Sequence, residues 1–246
     1  MFSLPRTALP LAALLGLVLA SAHGGDATKT GFLPKVYKGP DGVESKYYVF
    51  VPSDYKGDKE YPVILFLHGS GSSGDDGEKQ VKGGLAKAIR AKESSFPFIA
   101  VFPQSQKKTW KAESEDGKRA LAILADVQKF YKCDPKKVYL TGLSMGGFGT
   151  WSLASAYPER WAAIVPICGG GDPKTAAKIK DIPCWCFHGD ADPTVKVERS
   201  RDMIKALKDA SGMPRYEEYP GVGHNAWDQA YATPELYEWM LKQSSK

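Results

Sequence analysis

The amino-acid sequence predicts an α/β protein built on a mainly parallel sheet, with helices on both faces and an N-terminal antiparallel hairpin. Apolar segments of strand length alternate with segments of helical periodicity along most of the chain, which is typical of a parallel sheet. The run 62–67 (PVILFL) is apolar throughout, as expected for a strand covered on both faces. Two segments joined by the turn Gly39-Pro40-Asp41-Gly42 precede this run and predict the hairpin.

Each element follows from a local pattern. The expected strands, in chain order, span 31–37, 46–51, 62–67, 98–102, 138–141, 162–167, 182–187 and 216–219. The expected helices span 81–91, 118–131, 148–157, 197–210 and a last segment that begins after Thr233. Leu121, Leu124 and Val127 recur at helical spacing, and Asp134-Pro135 is expected to end their helix.

Length and the N-terminal segment predict one exported domain. A chain of 246 residues suits one large domain, and no repeat or low-complexity stretch divides its apolar segments. Arg6 precedes an apolar stretch over 11–19, and Ala20-Ser21-Ala22 fits a small-x-small cleavage site. We therefore predict a signal peptide over 1–22, a single domain over 23–246, and a secreted or periplasmic location. A retained anchor is the alternative, although the apolar run is short for a bilayer.

Charge and cysteine content exclude some partners and leave the redox state open. The formal net charge of +5 falls to +4 with the loss of Arg6, and the lysines are scattered among acids. We therefore expect no nucleic-acid partner and no stable membrane association after cleavage. Cys133, Cys168, Cys184 and Cys186 show no metal-ligand spacing with histidine and are expected as small buried hydrophobes. Export leaves disulfides possible.

The segment Gly142-Leu143-Ser144-Met145-Gly146-Gly147 carries the strongest indication of chemistry. It follows a predicted strand and opens a predicted helix, which is the setting of a nucleophile elbow. Ser144 is therefore the candidate nucleophile. The backbone N–H of Met145, at the helix start, is a candidate donor to an oxyanion. The alternative is a glycine-rich turn with an inert serine.

A serine nucleophile needs a base, and the base needs an acid to orient it. His224 lies in a loop after the last predicted strand and fits the chain order Ser, acid, His. The acid is expected in the loop after strand 182–187, where Asp190 and Asp192 are both candidates. The chemistry of the two side chains does not separate them.

A second oxyanion donor is expected in the loop His68-Gly69-Ser70-Gly71-Ser72-Ser73-Gly74, which follows strand 62–67. Small residues there let backbone amides approach a substrate oxygen. We assign the N–H of Ser70 to this role, with Gly71 as the near alternative. A merely flexible turn is the other interpretation.

Four segments, LHGSG, GLSMGG, HGDADPTV and PGVGHNAW, together resemble the α/β-hydrolase superfamily, most closely its exported, lidless esterase branch. That branch includes feruloyl and acetyl-xylan esterases, polyhydroxybutyrate-depolymerase-like proteins and predicted peptidases of prolyl-oligopeptidase type. The resemblance covers roughly 36–242 and implies the α/β-hydrolase fold. Too few residues lie between 167 and 182 for a helical cap domain, so an open site is expected.

The resemblance also implies roles for individual residues. It places Asp192 at the acidic position of H-G-x-x-D-x-x-V and so favours it over Asp190. It matches a P-Q element to Pro103-Gln104, which implies that Gln104 and the nearby Trp110 line the substrate site. Trp227, in the last motif, is a further candidate. Ordinary loop packing is the alternative for all three.

These observations predict a serine hydrolase that cleaves carboxylic esters through an acyl-enzyme, without a metal or organic cofactor. Feruloyl or acetyl esters of polysaccharide would suit an open site. A serine peptidase of prolyl-oligopeptidase type is a second hypothesis, although no anchor for a peptide terminus is recognisable. A non-catalytic binding protein of the same fold is a third. Dienelactone hydrolases, which are close relatives, carry a cysteine nucleophile, so Ser144 argues against their activity.

Overall fold

A computed structural model describes residues 29–246, so the expected signal peptide lies outside the described residues. Eight strands of the described chain form one sheet in the order β1-β2-β4-β3-β5-β6-β7-β8. The strands are β1 Gly31–Lys38, β2 Glu44–Val51, β3 Tyr61–Leu67, β4 Ile99–Pro103, β5 Cys133–Leu143, β6 Ala163–Ile167, β7 Trp185–Gly189 and β8 Arg215–Tyr219. The helices are α1 Leu85–Arg90, α2 Glu115–Phe130, α3 Met145–Ala156, α4 Ala176–Ile179, α5 Glu198–Asp209, α6 Trp227–Ala232 and α7 Pro234–Leu241.

The strand pairing confirms the predicted fold class. The hairpin strands β1 and β2 are antiparallel, and β2 joins β4 in antiparallel pairing. All remaining neighbours are parallel. Strand β3 lies between β4 and β5, so the chain changes direction across the sheet at this point. The crevice beyond the carboxyl ends of such strands is where ligands bind in open α/β sheets.

Apolar layers cover both faces of the sheet. In β3, Val63 and Leu65 contribute to one layer, whereas Ile64 and Phe66 contribute to the other, because successive strand side chains point to opposite faces. Helices α2, α3 and α5 pack in the first layer, and α1, α6 and α7 pack in the second. Within residues 29–246, no helix combines the length and the apolar character needed to cross a membrane.

Several element boundaries differ from the prediction. The helix expected over 81–91 is the shorter α1, preceded by a 3-10 turn at Lys79–Val81, because Gly84 has φ 55° and interrupts the helical backbone. Asp134-Pro135 lies within β5 and does not end α2, which has already ended at Phe130. Helices α4 and α6 were not predicted, since four and six residues are too few to show helical periodicity.

The segment between β6 and β7 holds a 3-10 turn and α4, with no cap domain. The described cysteines form no disulfide. Cys184 and Cys186 pack in the same apolar layer, as their spacing predicts, while Cys168 packs in the opposite one. Burial raises the pKa of the Cys186 thiol to about 12, as expected for a cysteine that acts as a small hydrophobe.

Candidate active site

Ser144 lies in the tight turn that joins β5 to α3. Its backbone angles, φ 54° and ψ −118°, fall in a region that side-chain-bearing residues rarely adopt. Two hydrogen bonds hold this conformation: the Ser144 N–H donates to the Ile167 carbonyl at 2.9 Å, and the Phe148 N–H donates to the Ser144 carbonyl at 3.0 Å. The turn leaves the half-buried Ser144 at the carboxyl end of the central strands.

The glycines around Ser144 allow strands and helix to approach closely. A Cβ atom on Gly146 would lie 1.8 Å from the carbonyl oxygen of Leu67, which ends the neighbouring strand β3. A Cβ atom on Gly142 would lie 2.4 Å from the carbonyl oxygen of Gly146. Neither distance is sterically possible without movement of the backbone. Glycine at both positions therefore lets the strands and the helix pack this closely.

Three residues that are distant in the sequence meet at this turn. His224 Nε2 lies 2.9 Å from Ser144 Oγ, and His224 Nδ1 lies 2.7 Å from Asp192 Oδ2. An ionised carboxylate can only accept hydrogen bonds, so the imidazole proton belongs on Nδ1. Nε2 is then free to accept the proton of the Ser144 hydroxyl. This is the geometry of a nucleophile, a base and an orienting acid.

The surroundings of Asp192 favour its ionised form. Its Oδ1 atom accepts hydrogen bonds from the backbone N–H groups of Thr194 at 2.8 Å and Val195 at 2.9 Å. Burial raises the pKa of this carboxyl group, but the hydrogen bonds from His224, Val195 and Thr194 outweigh it, so the pKa lies below its usual value. Asp192 is therefore charged at neutral pH and can stabilise an imidazolium at His224.

Asp190, the other candidate acid, does a different task. Its Oδ1 atom accepts a hydrogen bond from the backbone N–H of Gly221 at 2.6 Å. This bond joins the loop after β7 to the loop that carries His224. The structure thus separates the two aspartates: Asp192 contacts the imidazole, and Asp190 braces the loop.

His188 also contacts Asp192, and sequence reasoning assigned it no role. Its Nε2 atom lies 3.2 Å from Asp192 Oδ2 and 2.9 Å from the Val195 carbonyl oxygen. Its Nδ1 atom lies 2.7 Å from the Ser200 hydroxyl. His188 is fully buried, so these contacts fix the ring beneath Asp192. The spacing of four residues between His188 and Asp192, at the end of a strand, is the sequence signal for this contact.

Of the expected oxyanion donors, Ser70 lines the cavity beside Ser144, and Met145 follows Ser144 directly in the chain. Ser70 begins a short 3-10 turn, Ser70–Ser72, directly after β3, and Met145 is the first residue of α3. The N–H groups of Ser70, Gly71 and Met145 donate no hydrogen bond to another residue within 29–246. They are therefore available to a substrate oxygen. Ser70 and its near alternative, Gly71, both line the cavity, so the N–H group of either residue fits this role.

Gln104 contacts the loop over 68–74, called the oxyanion loop here after its expected role, and does not line the cavity at Ser144. Its Oε1 atom accepts from the Gly77 N–H at 2.7 Å, while its Nε2 atom donates to the Ser72 carbonyl at 3.0 Å and to Asp76 at 3.2 Å. With its amide engaged in this way, Gln104 fixes the loop that carries Ser70.

Trp110 is buried beside the same loop. Its Nε1 atom donates to the His68 carbonyl at 2.9 Å, and its ring meets the His68 ring edge-on at 5.0 Å. It borders a separate hollow with Met145 and Phe148. Burial lowers the pKa of His68 to about 4, so its ring is neutral, with Nε2 accepting from the Ser105 N–H at 2.9 Å. For Trp110, as for Gln104, loop packing describes the contacts.

Trp227 is the predicted substrate residue that lines the cavity at Ser144. Its ring meets the His224 ring edge-on, with centroids 5.2 Å apart. The cavity has a volume of about 290 Å³. Its walls come from the oxyanion loop, the segment before α1, the end of β5 and the start of α6: Phe66, His68, Gly69, Ser70, Gly71, Ser72, Gln80, Gly83, Gly84, Leu143, Ser144, His224 and Trp227.

One cluster of the described residues has potential metal ligands, and it coincides with the site. Donor atoms of Cys168, Asp192 and His224 lie within 4.8 Å of one another. The Asp192 and His224 atoms are engaged in the hydrogen bonds described above, and the Cys168 thiol donates to the His224 carbonyl at 3.3 Å. Burial raises the pKa of this thiol, which disfavours the thiolate form that binds metals. The cluster thus coincides with the hydrogen-bonded pair Asp192 and His224.

A mainly parallel sheet of this order with a serine elbow at its centre is the α/β-hydrolase fold. The chain belongs to the dienelactone hydrolase family, whose model matches residues 43–233. A structural neighbour supports the assignment of the fold. The crystal structure of a thermostable esterase superimposes with a TM-score of 0.80 and 36% identity, covering 87% of this chain and 63% of that one.

The relatives by sequence are named as ester hydrolases. "Probable feruloyl esterase C" of Aspergillus niger is 26% identical over 214 residues, which cover 85% of this chain and 78% of that protein. "Bifunctional acetylxylan esterase/xylanase XynS20E" of Neocallimastix patriciarum is 27% identical over 182 residues, covering 72% and 26%. "Poly(3-hydroxyalkanoate) depolymerase C" of Paucimonas lemoignei is 30% identical over 223 residues, covering 70% and 51%. The chain thus spans about a quarter of the bifunctional protein. Family and relatives together support an ester hydrolase.

Proposed function

We propose that this chain is a secreted serine hydrolase that cleaves carboxylic esters through an acyl-enzyme on Ser144. The observation that carries the proposal is the continuous hydrogen-bonded path from Ser144 Oγ through His224 to Asp192, with steps of 2.9 and 2.7 Å. The path begins at the strained turn that presents Ser144 to an open cavity. Esterase relatives support the same chemistry.

In the first half-reaction, Ser144 Oγ attacks the ester carbonyl carbon while His224 Nε2 takes the hydroxyl proton. Negative charge develops on the carbonyl oxygen, which the N–H groups of Met145 and Ser70 stabilise. The imidazolium then gives its proton to the departing alcohol oxygen. Asp192, held ionised by its backbone donors, stabilises the imidazolium through Nδ1.

In the second half-reaction, water replaces the alcohol. His224 removes a proton from the water molecule, which attacks the acyl carbon. The second oxyanion that forms is stabilised by the same N–H groups. Collapse of this intermediate breaks the bond to Ser144 Oγ and returns the proton to it. The products are a carboxylic acid, an alcohol and the original enzyme.

The surroundings of the cavity favour esters with a compact acyl group and a bulky alcohol. A volume of about 290 Å³ suits an acyl group, and the walls include the apolar side chains of Phe66, Leu143 and Trp227. Because no cap domain covers the described chain, a polymeric alcohol could extend into solvent. We therefore propose feruloyl or acetyl esters of polysaccharide as substrates.

A substrate panel tests this proposal. Wild-type protein is expected to hydrolyse p-nitrophenyl acetate and methyl ferulate, with little activity toward peptide p-nitroanilides. Ser144→Ala should lose at least about 10³-fold in kcat with both esters. Ser94→Ala, an exposed serine outside the cavity, is the matched control and should retain wild-type rates. Faster cleavage of anilides than of esters would favour a peptidase, and full ester activity in Ser144→Ala would contradict the proposal.

Export is part of the same proposal. Residues 1–22 have the pattern of a cleavable signal peptide. Expression in a bacterial host should deliver protein outside the cytoplasm with His23 at its N-terminus, as read by N-terminal sequencing. Full-length protein retained in the membrane fraction would contradict this part of the proposal.

A further inference from the structure

A buried glutamine in the cavity wall has no partner for its amide. Gln80 lies in the 3-10 turn Lys79–Val81 and is 1% exposed. Both its Nε2 and its Oε1 atoms are buried and make no hydrogen bond with the described chain. The same cavity wall includes Ser144 and His224. The residue with the unsatisfied amide thus borders the space in which the substrate of the proposed reaction would lie, while the amide atoms themselves are covered in the structure without ligand.

Burial of an amide without partners costs stability, so native proteins rarely retain one without a reason. Gln104 shows that this chain can satisfy a buried glutamine, because its amide makes hydrogen bonds to Gly77, Ser72 and Asp76. Gln80 has no such set of partners. Because Gln80 borders the cavity, a rotation of its side chain toward the cavity would let a bound ligand supply the missing hydrogen bonds.

The other walls define what kind of ligand group would fit. Phe66 and Trp227 offer aromatic surface, and Leu143 offers aliphatic surface. Among the described residues that line the cavity, none is a lysine or arginine, so an anionic group would lack a counter-charge. A neutral hydroxyl suits the amide best, since it can donate to Oε1 and accept from Nε2.

We propose that Gln80 determines acyl specificity by binding a hydroxyl group on an aromatic acyl chain attached to Ser144. The inference rests on the proposed esterase function and adds a preference to it. Esters of hydroxylated arylacrylic acids should be cleaved faster than the same esters without the hydroxyl. A site that binds a substrate hydroxyl with a buried polar group discriminates strongly, because the analogue leaves that polar group unpaired.

The test compares the rates of hydrolysis of methyl 4-hydroxycinnamate and methyl cinnamate. Chromatography of the released acids measures both rates. In the wild type, kcat/KM for the hydroxylated ester should exceed that for the other by about 10-fold or more. In Gln80→Met, which keeps the length of the side chain and removes the amide, the ratio should fall to about 1. Gln229→Met changes an exposed glutamine outside the cavity and should keep the wild-type ratio.

Thermal unfolding without ligand separates this role from a structural one. Gln80→Met replaces an unsatisfied buried amide with an apolar group of similar shape, so its melting temperature should equal or exceed that of the wild type. Gln104→Met loses its hydrogen bonds and should melt at a lower temperature, with both esters affected alike.

Three outcomes would overturn the inference. A wild-type ratio near 1, with both esters hydrolysed, would remove the preference and leave the esterase proposal intact. Equal loss with both esters in Gln80→Met, together with a lower melting temperature, would show a structural role for the amide. Absence of any ester hydrolysis in the wild type would overturn the proposed function and this inference with it.

Discussion

His188 Nε2 lies 3.2 Å from Asp192 Oδ2, the same oxygen that His224 Nδ1 contacts at 2.7 Å. The Val195 carbonyl also lies 2.9 Å from His188 Nε2 and can only accept, so this nitrogen carries a proton. The His188 ring thus holds Oδ2 of Asp192, and two backbone N–H groups hold its Oδ1 atom. The carboxylate that faces His224 is therefore fixed in orientation before any substrate binds.

Replacing His188 should lower the rate of catalysis more than substrate binding. His188→Leu removes a hydrogen bond to an ionised group, so we expect kcat to fall about 10- to 100-fold, with KM changed less than about threefold. His188→Gln, which can still donate toward Asp192, should recover part of the loss. Steady-state kinetics with p-nitrophenyl acetate measure both variants. A rise in KM of the same size, about 10- to 100-fold, with an unchanged kcat would show that His188 does not act through Asp192.

The two aspartates of the loop after β7 should behave differently. Asp192→Asn leaves the geometry of the site but favours the wrong imidazole tautomer, so we expect kcat to fall about 10⁴-fold. Asp190→Asn should cost less than about 10-fold, because Asp190 contacts Gly221 and not His224. The same ester assay, run on both variants with matched circular dichroism spectra, distinguishes them. Equal losses would mean that the acid has been misassigned.

The backbone approach at the elbow predicts a stability difference between two glycines. Gly146→Ala would bring a Cβ atom to 1.8 Å from the Leu67 carbonyl oxygen, so strand and helix must separate. We expect the free energy of unfolding to fall by about 3 kcal/mol or more. At Gly71 a Cβ atom meets nothing within 4 Å, and Gly71→Ala should change stability by less than about 0.5 kcal/mol. Urea unfolding compares them, and equal stability would contradict the steric account.

His68 predicts how stability depends on pH. Burial lowers its pKa from the usual 6.5 to about 4, so between these values the unfolded chain binds a proton that the folded chain excludes. The stability that the neutral His68 ring contributes is therefore fully present above pH 6.5. It is lost as the pH falls toward 4, and the free energy of unfolding decreases by about 3 kcal/mol in total. In His68→Gln this loss should disappear. Urea unfolding at pH 7.5 and 4.5 measures it, and parallel changes in both proteins would refute the assignment.

The fold could be predicted because its signals are local. The run Val63 to Leu67 is apolar on both faces, and strand and helix lengths alternate after it. Ser144 and His224 could be proposed from the elbow and from chain order. The residue chemistry could not separate Asp190 from Asp192, because the two lie in one loop and differ only in which partner they reach.

The roles of other site residues could not be predicted, because they depend on the direction in which each side chain points, and strand order does not reveal that direction. Gln104 follows β4 at the correct edge of the sheet, yet its amide bonds to the oxyanion loop rather than facing the cavity. Trp110 likewise donates to His68 from below. Gln80 carried no sequence signal at all, because it lies in a three-residue 3-10 turn just before the segment expected to be helical. Such contacts arise from tertiary packing and need the structure.

Labelling by a fluorophosphonate tests the central claim most directly, because the reagent reacts only with an activated serine. Intact-mass and peptide mass spectrometry should show one adduct on wild-type protein, located at Ser144. Ser144→Ala should show none, and His224→Ala should label far more slowly, since Nε2 lies 2.9 Å from Ser144 Oγ and acts as its base. An adduct on another serine, or equal labelling in the His224 variant, would contradict the account.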